Sequence, residues 1–182
     1  TNVPKLNKKL CLCLGYFDGV HLGHQFLIET AKKQAKHKLS LLTFDKPIST
    51  LIKNGKSKQI LTTIDDRYKI LSKLGVENLF VIRINKNFLN LSDVEFAEFL
   101  KKLHVNEVFI GEDYKFGKNG DGNIKTLSNY FKVHFVNTME VNNEKVSSQR
   151  IISLLQDAKL DDVFKLLGRN YTLTGRVVSG KR

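Results

Sequence analysis

Two histidines, His21 and His24, stand three residues apart with Gly23 between them, inside the run Gly15-Tyr16-Phe17-Asp18-Gly19-Val20-His21-Leu22-Gly23-His24. Imidazoles at the start of a helix can point toward a phosphate, because the unpaired N–H groups and the dipole there favour anions. Gly15, Gly19 and Gly23 allow the backbone to turn tightly and approach a ligand. A metal is the competing use of paired imidazoles. The spacing supplies only two ligands, however, and the two cysteines, Cys11 and Cys13, precede the loop, so no metal site is expected.

Two further segments carry chemistry. In Gly111-Glu112-Asp113-Tyr114-Lys115-Phe116-Gly117, followed by Gly120 and Gly122, aromatic rings between glycines offer a wall for a flat heterocycle, with Asp113 to bond its edge. In Val146-Ser147-Ser148-Gln149-Arg150, hydroxyls, helix N–H groups and a guanidinium could meet a second run of phosphates. Each segment also has a plain structural reading, the first as a Gly-rich loop and the second as an N-cap with a surface arginine.

These segments need elements to position them. An apolar run from Lys9 to Leu14 predicts a buried strand. The spacing of Phe26, Leu27, Ile28, Ala31 and Ala35 predicts a helix over Gln25 to His37. Strands follow over Leu39–Phe44, Asn78–Ile84, Glu107–Ile110 and Val133–Val136. Helices follow over Ile64–Leu74 with Thr63 as cap and Gly75 as stop, from the Ser92/Glu95 capping box to Leu103, over Ile124–Tyr130, from Ser147 or Ser148 to Leu155, and from Asp161 to Gly168. A Lys-rich stretch from Lys53 to Gln59 reads as a mobile loop. Alternating strands and helices predict an α/β fold, a parallel sheet of about five strands with helices on both faces. Ligands sit at the carboxyl ends of such strands, where all three chemical segments fall.

Composition narrows the partners. The chain has 182 residues, with 30 Lys plus Arg against 18 Asp plus Glu, a net charge of +12. That length fits one domain, or one and a fragment, with a proper core. The excess charge admits a polyanion, an anionic membrane surface or small phosphorylated ligands. Its lysines are scattered, as at Lys32, Lys33, Lys36 and Lys38, and no groove-reading or base-stacking motif accompanies them, so no nucleic acid is expected. No apolar run reaches the roughly 18 to 20 residues of a membrane span, and the polar start, Thr1 to Lys9, has no signal-peptide pattern. Cys11 and Cys13 alternate with leucines and read as buried free thiols in a reducing compartment, expected to be cytoplasmic.

The first run resembles the His-x-Gly-His signature of the nucleotidyltransferase superfamily, and the wider Gly-x-Phe-Asp-Gly-Val-His-x-Gly-His narrows the resemblance to bacterial FAD synthetase. Class I aminoacyl-tRNA synthetases share the shorter signature. This chain is too short for one, and Lys56-Ser57-Lys58 is no convincing match to their second motif. The second segment resembles the family's Gly-x-Asp-Phe-x-Phe-Gly, with Tyr114 in place of the first Phe. The third resembles Ile-Ser-Ser-Thr-x-x-Arg, with Gln149 at the Thr position and Ile152 at the final Arg. Arg150 takes over the phosphate contact from a shifted position, or other groups hold it. At Thr43-Phe44-Asp45-Lys46-Pro47 the family's His is missing, and Lys46 supplies the charge or is a solvated turn residue.

The resemblance implies a Rossmann-like nucleotidyltransferase fold and transfer of AMP from ATP to FMN, with Mg²⁺ bridging phosphate oxygens through few protein ligands. His21, His24, Ser148 and Arg150 would act on the phosphates. Gly15, Tyr16, Phe17, Asp18, Gly23, Gly111, Asp113, Phe116 and Ser147 would line the ATP and FMN sites. Residues 1–167 would form this domain. Residues 168–182 look like the linker and first strand of a riboflavin kinase module, so the full-length chain is expected to carry that module and this stretch to lack kinase activity. A flavin- or ATP-binding module without turnover, and a transferase with another phosphorylated acceptor, stay open.

Overall fold

The computed structural model describes residues 9–52, 59–178 and 180. The expected mobile loop at Lys53 to Gln59 lies, except for Gln59, outside the described residues, as does most of Thr1 to Lys9. Five strands, β1 (Leu10–Leu14), β2 (Lys38–Phe44), β3 (Asn78–Ile82), β4 (Val105–Gly111) and β5 (Lys132–Val136), form one sheet in the order β3-β2-β1-β4-β5. Every pairing in it is parallel. The helices are α1 (Leu22–Gln34), α2 (Ser49–Ile52), α3 (Ile64–Lys73), α4 (Lys86–Leu89), α5 (Asp93–Lys102), α6 (Ile124–Tyr130), α7 (Ser148–Gln156) and α8 (Leu160–Leu167).

The period of two along β1 accounts for the layers. Leu12 and Leu14 pack with Leu42, Val108, Phe96 and Leu100 of one apolar cluster. Cys11 and Cys13 pack with Leu41, Ile28, Ala31 and Leu71 of another. With both faces of the strand covered, its continuous apolar run is what a central parallel strand requires. Both thiols are free. Burial, with the charge of Glu107 added, pushes the Cys11 thiol up to about 12, so it stays protonated and unreactive.

Local chemistry sets most boundaries. Thr63 accepts from the Asp66 N–H to cap α3, Ser92 and Glu95 form the expected capping box of α5, and Gly168 ends α8 at φ +66°. Besides the short helices α2 and α4, which the sequence pattern does not mark, three further features differ from it. Helix α1 begins at Leu22, three residues before the predicted start, because His21 itself is the N-cap. The polar stretch Asn142 to Lys145 is the turn and second strand of a hairpin, β6 (Glu140–Val141) against β7 (Glu144–Lys145). Asn142 and Asn143 have φ of +57° and +59°, as a two-residue hairpin turn requires. Residues 171–178, where a strand was expected, form none, since a strand needs a partner ladder.

Strand order reverses at β1, whose neighbours β2 and β4 lie on opposite sides. The crevice beyond the carboxyl ends of β1 and β4 is the topological switch point of the sheet, where open α/β folds take ligands.

Candidate active site

A cavity of about 370 Å³ opens at that switch point, lined by Leu14 and Gly15 from the end of β1, Gly111 from the end of β4, and Ser147 and Ser148 from the start of α7. His21 and His24 form part of its wall. Their rings stack at 3.7 Å between centroids and 17° between planes. Nδ1 of His21 accepts from the backbone N–H of His24 at 3.4 Å, which places the ring hydrogen on Nε2 and makes that nitrogen a donor. Burial first, then the charges of Lys145 and Arg169, hold the His21 imidazole down at about 4, against a smaller upward pull from Asp113. Burial, His21 and Arg67 hold His24 well below the usual histidine range. Both rings are therefore neutral donors near pH 7, and His24 Nδ1 has no hydrogen-bond partner.

The loop that presents them is strained and tied down. Phe17 and Val20 adopt φ of +54° and +40°, conformations that cost about 1 to 3 kcal/mol each and persist only where the surroundings impose them. At Gly19, φ is +74° and an added Cβ would lie 2.6 Å from Leu61 Cδ1, so only glycine fits. At Gly23 an added Cβ would meet the His21 ring at 3.2 Å, so the glycine of the signature leaves room for the imidazole over the helix start. Gln25 Nε2 donates to Val20 O at 2.9 Å and to Leu167 O at 2.8 Å, and Arg169 donates to Gly19 O at 2.6 Å.

Most sequence-predicted residues meet at the cavity. Gly15, Tyr16, Phe17, His21, Gly23, His24, Gly111, Asp113, Ser147 and Ser148 all line it. Ser147 accepts from the Arg150 N–H as the N-cap of α7, and the Ser148 hydroxyl donates to Asp18 O at 2.9 Å. Three residues are elsewhere. The buried Asp18 carboxylate accepts from Leu61 N, Thr62 N and the Thr62 hydroxyl at 2.9 to 3.1 Å; it clamps the loop to the chain before α3 rather than lining the pocket. Arg150 donates to Val141 O at 3.1 Å and Glu144 O at 3.0 Å, and pairs with the Glu144 carboxylate at 2.9 Å. Its position on α7 turns the guanidinium onto the hairpin, away from the cavity. Phe116 lines a second cavity of about 430 Å³, walled by Phe44, Phe88, Phe96 and Tyr114. The two cavities share Phe44, Ile48, Tyr114 and Lys115. Lys46 is exposed and lines neither.

Sequence reasoning missed four residues. Arg67 is 1% exposed and donates to Tyr16 O and the Thr43 hydroxyl at 2.9 Å, with its guanidinium 4.6 Å from the centre of the Tyr16 ring. Thr43 also donates to Tyr16 O at 2.6 Å. On an amphipathic helix, Arg67 reads as a solvated charge, and no local signal reveals its burial. Lys145, paired with Asp113 on the cavity wall, was signalled only by its place beside the two serines. Arg169 follows the α8 stop and reads as linker.

The donor set does not fit a protein-built metal cage. Among the described residues no group of three His, Cys, Asp or Glu side chains is placed to hold an ion, and Asp113 on the cavity wall is already paired. No helix among the described residues is long and apolar enough to cross a membrane.

Comparison with known proteins agrees with this geometry. Residues 3–150 match the family described as FAD synthetase. A bifunctional riboflavin kinase/FMN adenylyltransferase of Listeria monocytogenes is 37% identical over 94% of this chain and 57% of the relative. Proteins of the same description from Buchnera aphidicola (Schizaphis graminum) and Bacillus subtilis are each 33% identical, over 100% and 96% of this chain and 62% and 58% of the relatives. The chain thus spans about three fifths of their length. A solved structure described as a macrolide-efflux protein from Streptococcus pneumoniae superimposes with a TM-score of 0.81 at 27% identity, over 92% of this chain and 58% of the other.

Proposed function

The chain belongs to the FAD synthetase family, and from that premise we propose that it transfers AMP from ATP to FMN, forming FAD and pyrophosphate. The observation that carries the reading is the stacked, neutral His21–His24 pair on the wall of a switch-point cavity that α7 also enters with its first turn. Two sets of unpaired helix N–H groups and two imidazole donors converge on one space, which suits a chain of phosphates.

In this reading a phosphate oxygen of FMN forms a bond to the α-phosphorus of ATP while the bond from that phosphorus to the bridging oxygen breaks, and pyrophosphate leaves with the electron pair. The nucleophile is already ionised near neutral pH, so the protein's contribution is position and charge stabilisation. His21 and His24 donate to oxygens on the α-phosphorus as charge builds there, the kind of contact worth roughly 10²- to 10³-fold in rate. The Ser147 hydroxyl and the free N–H groups at the start of α7, that of Ser148 among them, receive the departing phosphates, while the Ser148 hydroxyl ties α7 to Asp18 O. The aromatic cavity takes the flavin ring, with Phe116, Tyr114 and Phe44 as its walls, and its shared border with the histidine cavity lets the FMN phosphate reach ATP. Mg²⁺ would arrive with the nucleotide and supply charge neutralisation, since among the described residues the cavity offers no set of free carboxylates to hold it.

Residues 1–167 form the adenylyltransferase unit, and residues 168–182 lead toward a riboflavin kinase module in the full-length protein. Soluble substrates and two free, buried thiols support a cytoplasmic location. Incubation with ATP, FMN and Mg²⁺ followed by chromatography tests the activity, and FAD is the expected product. The engagement of Arg150 by the hairpin favours a second reading, a flavin- and nucleotide-binding unit without turnover. Tight binding of both substrates with no FAD would select it. AMP transfer to a different phosphorylated acceptor would replace FMN as the substrate.

A further inference from the structure

The cavity reads as a site for a triphosphate, yet α7 brings it no cation: Ile152 is aliphatic and 6% exposed, in an apolar cluster with Val146, Leu166 and Leu167. Arg150 is engaged by two hairpin carbonyls and Glu144, and Lys46 is outside the cavity. Among the described lining residues the cations are Lys115 and Lys145. The stem of Lys115 lies against Gly120, and Lys115 also lines the aromatic cavity.

Lys145 is placed differently. It ends β7, two residues before the Ser147 cap of α7, and shares the cavity wall with His21, Ser147 and Ser148. Its charge is the largest electrostatic influence on His21, which ties ammonium and imidazole to one space. Its partner, Asp113, comes from the loop after β4 on the other wall, and the two side chains are 45% and 68% exposed. A pair that open to solvent is held weakly. A polyanion with several phosphate charges competes with one exposed carboxylate for the same ammonium, and the flexible lysine stem can follow it.

We propose that Lys145 is the phosphate-binding cation of this site, parked on Asp113 when no nucleotide is bound and transferred to the β and γ phosphates when ATP enters. The proposal rests on the reading of the cavity as the ATP site. With Ile152 buried and Arg150 engaged by the hairpin, the charge comes from the hairpin before α7 rather than from the helix itself. Arg150 then serves the site indirectly, because its bonds to Val141 O and Glu144 O hold the hairpin that carries Lys145.

Titration calorimetry with ATP, and separately with inorganic pyrophosphate, tests this without requiring turnover. Lys145→Gln is expected to weaken both ligands roughly tenfold or more, the loss of a charge-assisted contact, while Lys145→Arg retains most of the affinity. Lys101→Gln, which removes an exposed charge on α5, is expected to change neither and controls for net charge. Asp113→Asn is expected to tighten binding roughly two- to fivefold by releasing the lysine from a weak pair. That gain disappears in the Lys145→Gln background. An equal gain in both backgrounds, or unchanged affinity in Lys145→Gln, overturns the assignment while the ATP site stands. Failure of the wild-type protein to bind either ligand overturns the ATP site itself.

Discussion

Lowering the pH from about 7 to about 5 should destabilise the protein through His21. Its imidazole titrates near 4 in the fold, against 6.5 for the ordinary group, because it is 6% exposed and faces Lys145 and Arg169. Between those values the unfolded chain binds a proton that the folded chain refuses, so stability is full above pH 6.5 and falls as the pH drops. With those two constants the loss on going to about pH 5 is about 2 kcal/mol, and it approaches about 3 kcal/mol below the folded value. The geometry gives the same sign, since the Nδ1 that accepts the His24 N–H cannot accept once protonated. Urea unfolding followed by far-ultraviolet circular dichroism, at both pH values, should show this loss. His21→Asn keeps an acceptor at the cap but cannot titrate, so its loss should be smaller by about 2 kcal/mol. His24, held neutral by burial first and then by His21 and Arg67, keeps its burial contribution in both proteins, and the loss of its coupling to His21 in the variant widens the difference in the same direction. Parallel losses in the two proteins would refute the reasoning, for they would place the titrating group elsewhere.

His24→Ala should lower FAD formation roughly tenfold or more with the fold intact, read as turnover alongside the circular dichroism spectrum; an unchanged rate would remove His24 from the phosphate contact. Gly19→Ala should destabilise by about 2 to 4 kcal/mol, combining a left-handed conformation with overpacking against Leu61, measured by urea unfolding. Arg67→Met should cost about 3 to 5 kcal/mol, because it leaves buried Asp18 without its cation 3.7 Å away and removes one of the two donors to the Tyr16 carbonyl; a urea midpoint near wild type would show that Thr43 and the backbone hold the loop alone.

Elements defined by local chemistry were legible in the sequence. The capping box at Ser92 and Glu95, the Thr63 cap and the Gly168 stop each act within one turn, so their residues announce them. The start of α1 was misplaced because a histidine cap and a glycine in the first turn look like loop by composition. The hairpin before α7 was hidden because strands of two residues carry no periodicity, although its Asn142-Asn143 turn left a trace. Within the candidate site, residue types were readable and directions were not. Asp18 and Arg150 belong to the right segments, yet one side chain bonds Leu61 and Thr62 and the other bonds the hairpin.

The sequence by itself determined that this protein has a Gly- and His-rich strand-to-helix turn on a parallel sheet, because the Gly–His run and the apolar periods of β1 and α1 are local properties. Only the tertiary structure decided which charges serve that turn. Arg67 reaches Tyr16 across 51 positions, Arg169 reaches Gly19 across 150, and Lys145 meets Asp113 across 32. Such pairings depend on how helices and loops dock onto the ends of the sheet, and on which side chains burial deprives of water, and neither is encoded within a window of neighbouring residues.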